Sequence, residues 1–137
     1  MTQDQRRQAR VLAFSCQYQR QKLGYRVESE ALLFETANLS SKNLEFAKTL
    51  VLSIEQQQDE IDRLIGTHSR SWKQSRLLES LNALLRVSIA ELLSFPQTDT
   101  NVILNESIEI CRGYVGERSI KLFNGILHAV SKEVRLA

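Results

Sequence analysis

The sequence is poor in the residues that form turns. One proline and five glycines in 137 residues are too few for a protein built from many strands and tight loops. The apolar fraction of 42% is that of a globular protein and excludes a chain that is disordered throughout. A chain of this length also buries enough surface to form a hydrophobic core. We therefore predict a compact all-α protein.

Cysteine is scarce as well, and long apolar runs are missing. Cys16 and Cys111 cannot make a disulfide framework, a zinc site or a CxxC redox pair, so we expect two small apolar residues in a reducing compartment. The first ten residues, MTQDQRRQAR, contain arginines with no apolar stretch after them, which excludes a secretory signal. No uncharged run approaches the roughly 20 residues of a membrane-spanning helix. These features predict a cytoplasmic protein.

The sequence motifs of the common enzyme classes are absent. There is no GxxxxGK[ST], GxGxxG, HExxH or GxSxG pattern. His68 and His128 lie far apart, and neither has a second metal ligand at a suitable spacing. The acidic side chains between residues 55 and 62 fall mainly on the solvated side of a predicted helix. We predict no catalytic residue, no metal and no cofactor.

The net charge of +2 conceals an alternation of charge along the chain. Residues 1–26 carry a net charge of +5 and residues 27–66 a net charge of -5. The next three blocks, 67–86, 87–117 and 118–137, carry +3, -4 and +3. This pattern favours a protein with one basic face for a polyanion and acidic surface elsewhere, although ordinary surface charge gives the same count.

Apolar residues recur at helical spacing along most of the chain. The pattern predicts about seven helices in two packed bundles within a single domain, 1–137. We place the N-terminal bundle at about 1–66 and the C-terminal bundle at about 72–137. The predicted helices cover residues 4–22, 28–37, 42–65, 75–94, 102–112 and a last helix from about residue 120. Gly24 and Gly66 are expected to end the first and third of these helices, and residues 68–74, with Trp72, are expected to connect the bundles.

The first helix carries the most informative cluster. Arg6 and Arg10 are four residues apart and share a face, and Arg7 lies one step around the helix. Arginine binds phosphate through two parallel hydrogen bonds and stacks on bases, so the cluster favours RNA binding. The alternative is the frayed start of a solubilising helix whose arginines have no specific partner. The cluster by itself leaves both interpretations open.

Three segments of the C-terminal half carry a family resemblance. Residues 84–93, 102–110 and 121–127 read LLRVSIAELL, VILNESIEI and KLFNGIL. In order and approximate spacing they resemble the LRxAxxEL, xxINExxELAK and KFVNGVL patterns of the NusB family of transcription antitermination factors. The opening RRQAR with Tyr18 downstream is similar to the arginine-rich first helix of that family. The resemblance covers nearly the whole chain and is weakest over residues 25–65.

The resemblance implies a fold, a function and partners. NusB proteins are two helical bundles that bind the boxA element of ribosomal RNA leader transcripts together with NusE, a protein of the small ribosomal subunit. The complex helps RNA polymerase to avoid premature termination. Carried over by position, Arg6, Arg7 and Arg10 would contact RNA, Tyr18 would lie beside that surface, and Lys121 would add a phosphate contact. The resemblance leaves open whether the free protein forms a homodimer that covers the arginine face.

Six further residues of the family motifs are predicted to be structural: Arg86, Glu91, Asn105, Glu106, Asn124 and Gly125. Arg86 and Glu91 are expected to form ion pairs or to cap helices near the junction of the bundles. Asn105 and Asn124 lie on largely apolar helices, so we expect buried side chains that bond to helix or loop ends. Gly125 costs a helix about 1 kcal/mol relative to alanine and is expected to mark a close helix crossing.

Two departures from the family keep a second function open. Arg118 stands where the family often has an acidic residue, and Leu122-Phe123 reverses the aromatic-then-small pair after the lysine. If that aromatic residue stacks on RNA in the family, the stacking contact at position 122 is lost. The alternative is therefore a non-catalytic scaffold that binds NusE and has lost boxA recognition. A relative of the NusB-like domain of ribosomal RNA methyltransferases is not favoured, because the sequence contains no glycine-rich cofactor loop.

Overall fold

The structure is a computed structural model that describes residues 3–23, 33–69 and 77–135, and within these ranges it contains helices and no strand. Residues 33–36 are helical. The other described elements are α1 (Gln3–Leu23), α2 (Ser41–Gln56), α3 (Gln58–His68), α4 (Glu79–Ser94), α5 (Thr100–Ile110), a π-helical turn (Cys111–Val115), a 3-10 turn (Glu117–Ser119) and α6 (Ile120–Val134). The prediction of an all-α fold is confirmed. Gly24 and Trp72, which were expected to end a helix and to connect the bundles, lie outside the described residues.

Helix α1 packs between α2 and α4. It runs in the same direction as α2, since Arg20 near its end lies 2.7 Å from Glu55 near the end of α2. It runs antiparallel to α4, because Gln21 donates a hydrogen bond to the carbonyl of Glu79 at the start of α4. A helix with partners on two sides needs two apolar stripes, and the buried residues of α1 supply them: Ala9, Leu12, Ala13, Phe14 and Cys16.

Helix α4 is the centre of the core. It packs against α1, α2, α3, α5 and α6, and eleven of its sixteen residues are buried. The apolar residues among these eleven are Leu81, Ala83, Leu84, Leu85, Val87, Ile89, Ala90 and Leu92. This burial agrees with the sequence, where the apolar stripe of this segment is too wide for a helix that packs on one side only.

The long helix expected over residues 42–65 is broken in two, which corrects the prediction. Ser40 caps α2 by accepting a hydrogen bond from the Asn43 amide, but Gln57 leaves the helical conformation at φ -121° and ψ 24°. The break turns the chain so that Ile61, Leu64 and Ile65 of α3 are buried. The second half also continues beyond Gly66 and ends at His68.

Arg135 connects the end of α6 to the end of α4 through hydrogen bonds. Its guanidinium donates hydrogen bonds to the backbone carbonyls of Leu92, Phe95 and Thr98. The carbonyls of a helix end have no partner within the helix, so a cation there supplies both hydrogen bonds and a favourable charge. This contact orients the loop into α5, whose first turn is capped by Asp99.

The predicted burial of Asn105 and Asn124 is wrong. Both side chains are exposed, because each lies off the apolar stripe that its helix turns to the core. The predicted close crossing at Gly125 is wrong as well. Gly125 is exposed, and a Cβ atom added there would meet nothing within 4 Å. The sequence pattern around these residues was apolar enough to suggest burial, but helical geometry places them outside.

The proposed division into two bundles stays a prediction. The expected boundary lies between residues 66 and 72, and residues 70–72 of it are outside the described part of the chain. The described helices contact one another across the expected boundary, and α2 packs on α4 while α3 packs on α6. Among the described residues, no helix combines the length and the apolar character needed to cross a membrane.

Candidate nucleic-acid interface

Arg10 is an internal residue of the fold. Its side chain is only 3% exposed, although arginine is among the residues least often buried. Its Nε and Nη2 atoms each lie 2.7 Å from an oxygen of Glu91, which is fully buried on α4. A guanidinium held in this way cannot reach a ligand at the surface. We therefore exclude Arg10 from the candidate interface, which corrects the expectation that it contacts RNA directly.

Arg7 lies at the surface and is bonded to α5. Its Nε and Nη2 atoms donate to the two carboxylate oxygens of Glu106 at 2.8 and 3.0 Å, and its side chain is 37% exposed. The hydrogen bonds from Arg7 hold the pKa of Glu106 below its ordinary value, so the pair is ionised at neutral pH. Glu106 also lies 3.7 Å from Nη1 of Arg10. This pair fixes the guanidinium of Arg7 on the rim of the fold.

Arg6 is held flat against an aromatic ring. Its guanidinium carbon lies 4.1 Å from the centre of the Phe46 ring on α2, which is a cation–π contact. Partial burial, together with the neighbouring charge of Arg10, lowers the pKa of Arg6 from its usual value. The group is still charged at neutral pH, but its charge is disfavoured by its surroundings. A phosphate that binds here would relieve the repulsion between the two guanidinium groups.

Aromatic residues extend from Arg7 along one side of α1. Arg7, Phe14 and Tyr18 are spaced so that they share one face of the helix. The rings of Phe14 and Tyr18 are stacked, with centroids 6.1 Å apart and planes inclined by 7°. Lys22 follows one turn later, and its ammonium group lies 5.7 Å from the centre of the Tyr18 ring. The face thus joins positive charge to aromatic surface over about 22 Å, at 1.5 Å per residue.

Lys121 is exposed at the start of α6. The turn before α6 contacts α1, because Tyr114 packs edge-on against Phe14 with centroids 6.1 Å apart. Arg118 is also exposed, and neither cation forms an ion pair with a described residue. Tyr114 thus joins the π-helical turn before α6 to the aromatic side of α1. We give the name basic–aromatic face to the accessible cationic and aromatic side chains of α1 and of the start of α6, which are Arg6, Arg7, Tyr18, Lys22 and Lys121.

The motif residues Arg86 and Glu91 stabilise the fold beneath that face. Arg86 donates to both carboxylate oxygens of Asp62 on α3, at 2.9 and 3.2 Å, and to Gln21 on α1 at 2.7 Å. It therefore ties α1, α3 and α4 together near the expected junction of the bundles. Glu91 does the same for α1 and α4 through Arg10. Glu91 is fully buried, and the guanidinium of the half-buried Arg86 is occupied by Asp62 and Gln21.

Two residues of this region were not predicted from the sequence, Lys22 and Tyr114. Lys22 had a detectable signal, because it follows Tyr18 by four residues and therefore shares its helix face. Tyr114 had none, since its contact with Phe14 joins residues 100 positions apart. Only the folded chain brings these two rings together. Among the described residues no group of three potential metal ligands occurs, and the face offers phosphate and base contacts instead.

Comparisons with known proteins agree with this architecture. The model of the NusB family matches residues 5–132. A transcription antitermination protein NusB of Koribacter versatilis is 34% identical over 100 residues, which cover 73% of this chain and 68% of the relative. The corresponding protein of Helicobacter hepaticus is 34% identical over 107 residues, or 77% of this chain and 68% of the relative.

Solved structures show the same fold. NusB of T. maritima superposes with a TM-score of 0.83 and 30% identity over 93% of this chain and 91% of that protein. A chain from a crystal structure of the antitermination factors NusB and NusE in complex with dsRNA superposes with a TM-score of 0.86 and 26% identity, covering 96% and 99% of the two chains. The resemblance seen in the sequence is therefore confirmed over most of the molecule, and this chain belongs to the NusB family.

Proposed function

We propose that this protein is an RNA-binding transcription antitermination factor. It binds the boxA element of ribosomal RNA leader transcripts together with NusE and helps RNA polymerase to avoid premature termination. It acts in the cytoplasm and without catalysis, as a part of the antitermination complex. The observation that carries the proposal is the match of the NusB family to residues 5–132, which includes the basic–aromatic face.

The chemistry of that face suits a single-stranded RNA. Arg6 and Lys121 supply positive charge for phosphate groups, the exposed part of the Arg7 guanidinium offers further N–H donors, and the half-buried ring of Tyr18 offers a surface on which a base can stack. The related chain that was solved with NusE and dsRNA supports RNA and NusE as partners of this protein. Arg10 contributes indirectly, because its buried pair with Glu91 holds the first helix in place.

A protein-binding scaffold without boxA recognition is the second candidate. The reversed pair favours it, since Phe123 is fully buried and cannot stack on RNA, while Leu122 is half-buried against the core. This candidate predicts tight binding of NusE and weak RNA binding that ignores the RNA sequence. The two candidates therefore differ in one measurable property, which is the selectivity for boxA.

Selectivity is measured by titrating labelled boxA-type RNA and a scrambled RNA of the same composition, with and without NusE. We expect the protein to prefer the boxA sequence and NusE to strengthen that preference, because specific readout adds base contacts to the shared phosphate attraction. Equal affinity for both RNAs in the presence of NusE would contradict the proposed function and support the scaffold.

A further inference from the structure

Tyr114 is the most exposed large apolar side chain that the structure describes. It is 60% exposed, and the other exposed large apolar residues are leucines: Leu23, Leu52 and Leu78. A tyrosine in this position gains little from burial, and its ring faces solvent. Its fixed contact with Phe14 shows that the ring is nevertheless held against the fold.

The backbone around Tyr114 explains why the ring is presented in this way. Residues Cys111–Val115 form a π-helical turn, a rare conformation that often occurs at functional sites. Cys111 stays buried, whereas the next three residues, 112–114, are exposed. Gly116 ends the turn at φ 132°, a conformation that favours glycine, and its amide donates to the Cys111 carbonyl at 2.8 Å.

Phe14 links Tyr114 to the candidate interface. It is 5% exposed and lies between two tyrosines, edge-on to Tyr114 and stacked with Tyr18, with both centroid distances at 6.1 Å. The buried ring therefore contacts two tyrosine rings, and both of these are accessible to solvent. Lys22 lies beside Tyr18, so positive charge adjoins one end of this aromatic row.

We propose that Tyr114 is a base-stacking residue and that Tyr114 and Tyr18 hold neighbouring unpaired bases of a single-stranded RNA. This inference deepens the proposed function and rests on it. A base presents a flat π face to an aromatic ring, and the Lys22 ammonium beside Tyr18 neutralises a phosphate of the same strand. Tyr114 thereby supplies the stacking surface that the buried Phe123 cannot provide.

The test compares Tyr114→Leu with Tyr114→Phe in the full chain with NusE. Leucine retains an apolar contact to Phe14 but has no π face, so the affinity for single-stranded boxA-type RNA should fall about tenfold or more. Phenylalanine should bind within about twofold of the original protein, because stacking needs the ring and not the hydroxyl. The salt dependence should not change in either variant, since no charge is altered.

A duplex RNA of the same sequence is the control for the ligand. Its bases are stacked on one another, so Tyr114→Leu should not weaken duplex binding. Thermal unfolding and NusE binding of the variant show whether it is folded. A second measurement uses the double substitution Tyr114→Trp with Trp72→Phe, which leaves position 114 as the only tryptophan. Single-stranded RNA should quench its fluorescence, and the duplex should not.

The inference is overturned if folded Tyr114→Leu binds single-stranded RNA as tightly as the original protein, or if RNA leaves the fluorescence at position 114 unchanged. If the original protein prefers boxA in the same experiments, the proposed function survives this result. If the original protein shows no preference for boxA, the proposed function fails and the inference fails with it.

Discussion

Glu91→Ala is expected to lower the free energy of unfolding by about 3 to 5 kcal/mol, because it leaves the guanidinium of Arg10 buried without its partner. A loss of this size is a large fraction of the total stability of a small domain. Urea denaturation measures it as a shift of the midpoint at an unchanged slope.

Two further variants separate the buried charge from other causes. Glu109→Ala removes an exposed carboxylate that pairs with the exposed Arg112, so it should cost far less stability than Glu91→Ala. The double substitution Arg10→Met with Glu91→Leu removes both buried charges and should recover most of the stability. If Glu91→Ala costs no more than Glu109→Ala, the assignment of Arg10 to the interior is incorrect.

The second large effect concerns RNA affinity. Removing two phosphate contacts with Arg6→Ala and Lys121→Ala should weaken binding of boxA-type RNA about 25-fold at 0.1 M salt, if affinities converge near 1 M. The cause is the loss of counterion release, which contributes about 0.7 to the log–log salt slope for each phosphate on a single strand. For about four phosphates the original slope is near -3, and the double variant should fall to about -1.4.

The matched control is Lys132→Ala. Lys132 is exposed on the same helix as Lys121 but lies eleven residues further along, about 16 Å away. Its removal changes the net charge of the protein without removing a proposed phosphate contact, so the slope should stay near -3. If Lys132→Ala lowers the slope by about 0.7, which is half of the change expected for the double variant, the slope follows net charge alone and the basic–aromatic face is not the binding surface.

The sequence predicted the fold class well because apolar periodicity decides it. The stripe that becomes α4 is wide in the sequence and buried on several sides in the structure. Local breaks were harder to predict. Nothing near Gln57 is a strong helix breaker, and the helix ends there because α3 must turn its apolar face, with Ile61 and Leu64, to the core.

The roles of the three arginines could not be distinguished from the sequence. Arg6, Arg7 and Arg10 are the same residue type and lie close together on one helix, but the structure places them in three different environments. Arg10 is buried against Glu91, Arg7 is bonded to Glu106 at the rim, and Arg6 lies on an aromatic ring. Each partner comes from another helix, distant along the chain. Position within one helix therefore could not distinguish an internal ion pair from a phosphate contact.

Three motif residues were predicted to be buried and are exposed in the structure. Asn105, Asn124 and Gly125 stand in apolar segments, and composition suggested burial. The structure turns all three outward, because the 3.6-residue period assigns each position to a face regardless of its neighbours in sequence. No contact within the described part of the chain explains a glycine at position 125.

In the proposed function RNA binds along α1 and the turn before α6, and chemical-shift mapping locates this contact residue by residue. Amide signals of ¹⁵N-labelled protein are followed while boxA-type RNA is added. We predict that the largest changes fall within residues 6–22 and 112–122, whereas the acidic segment 55–60 and the buried Glu91 change little. Changes centred on α2 and α3, with the α1 signals unaffected, would show that RNA does not bind along α1.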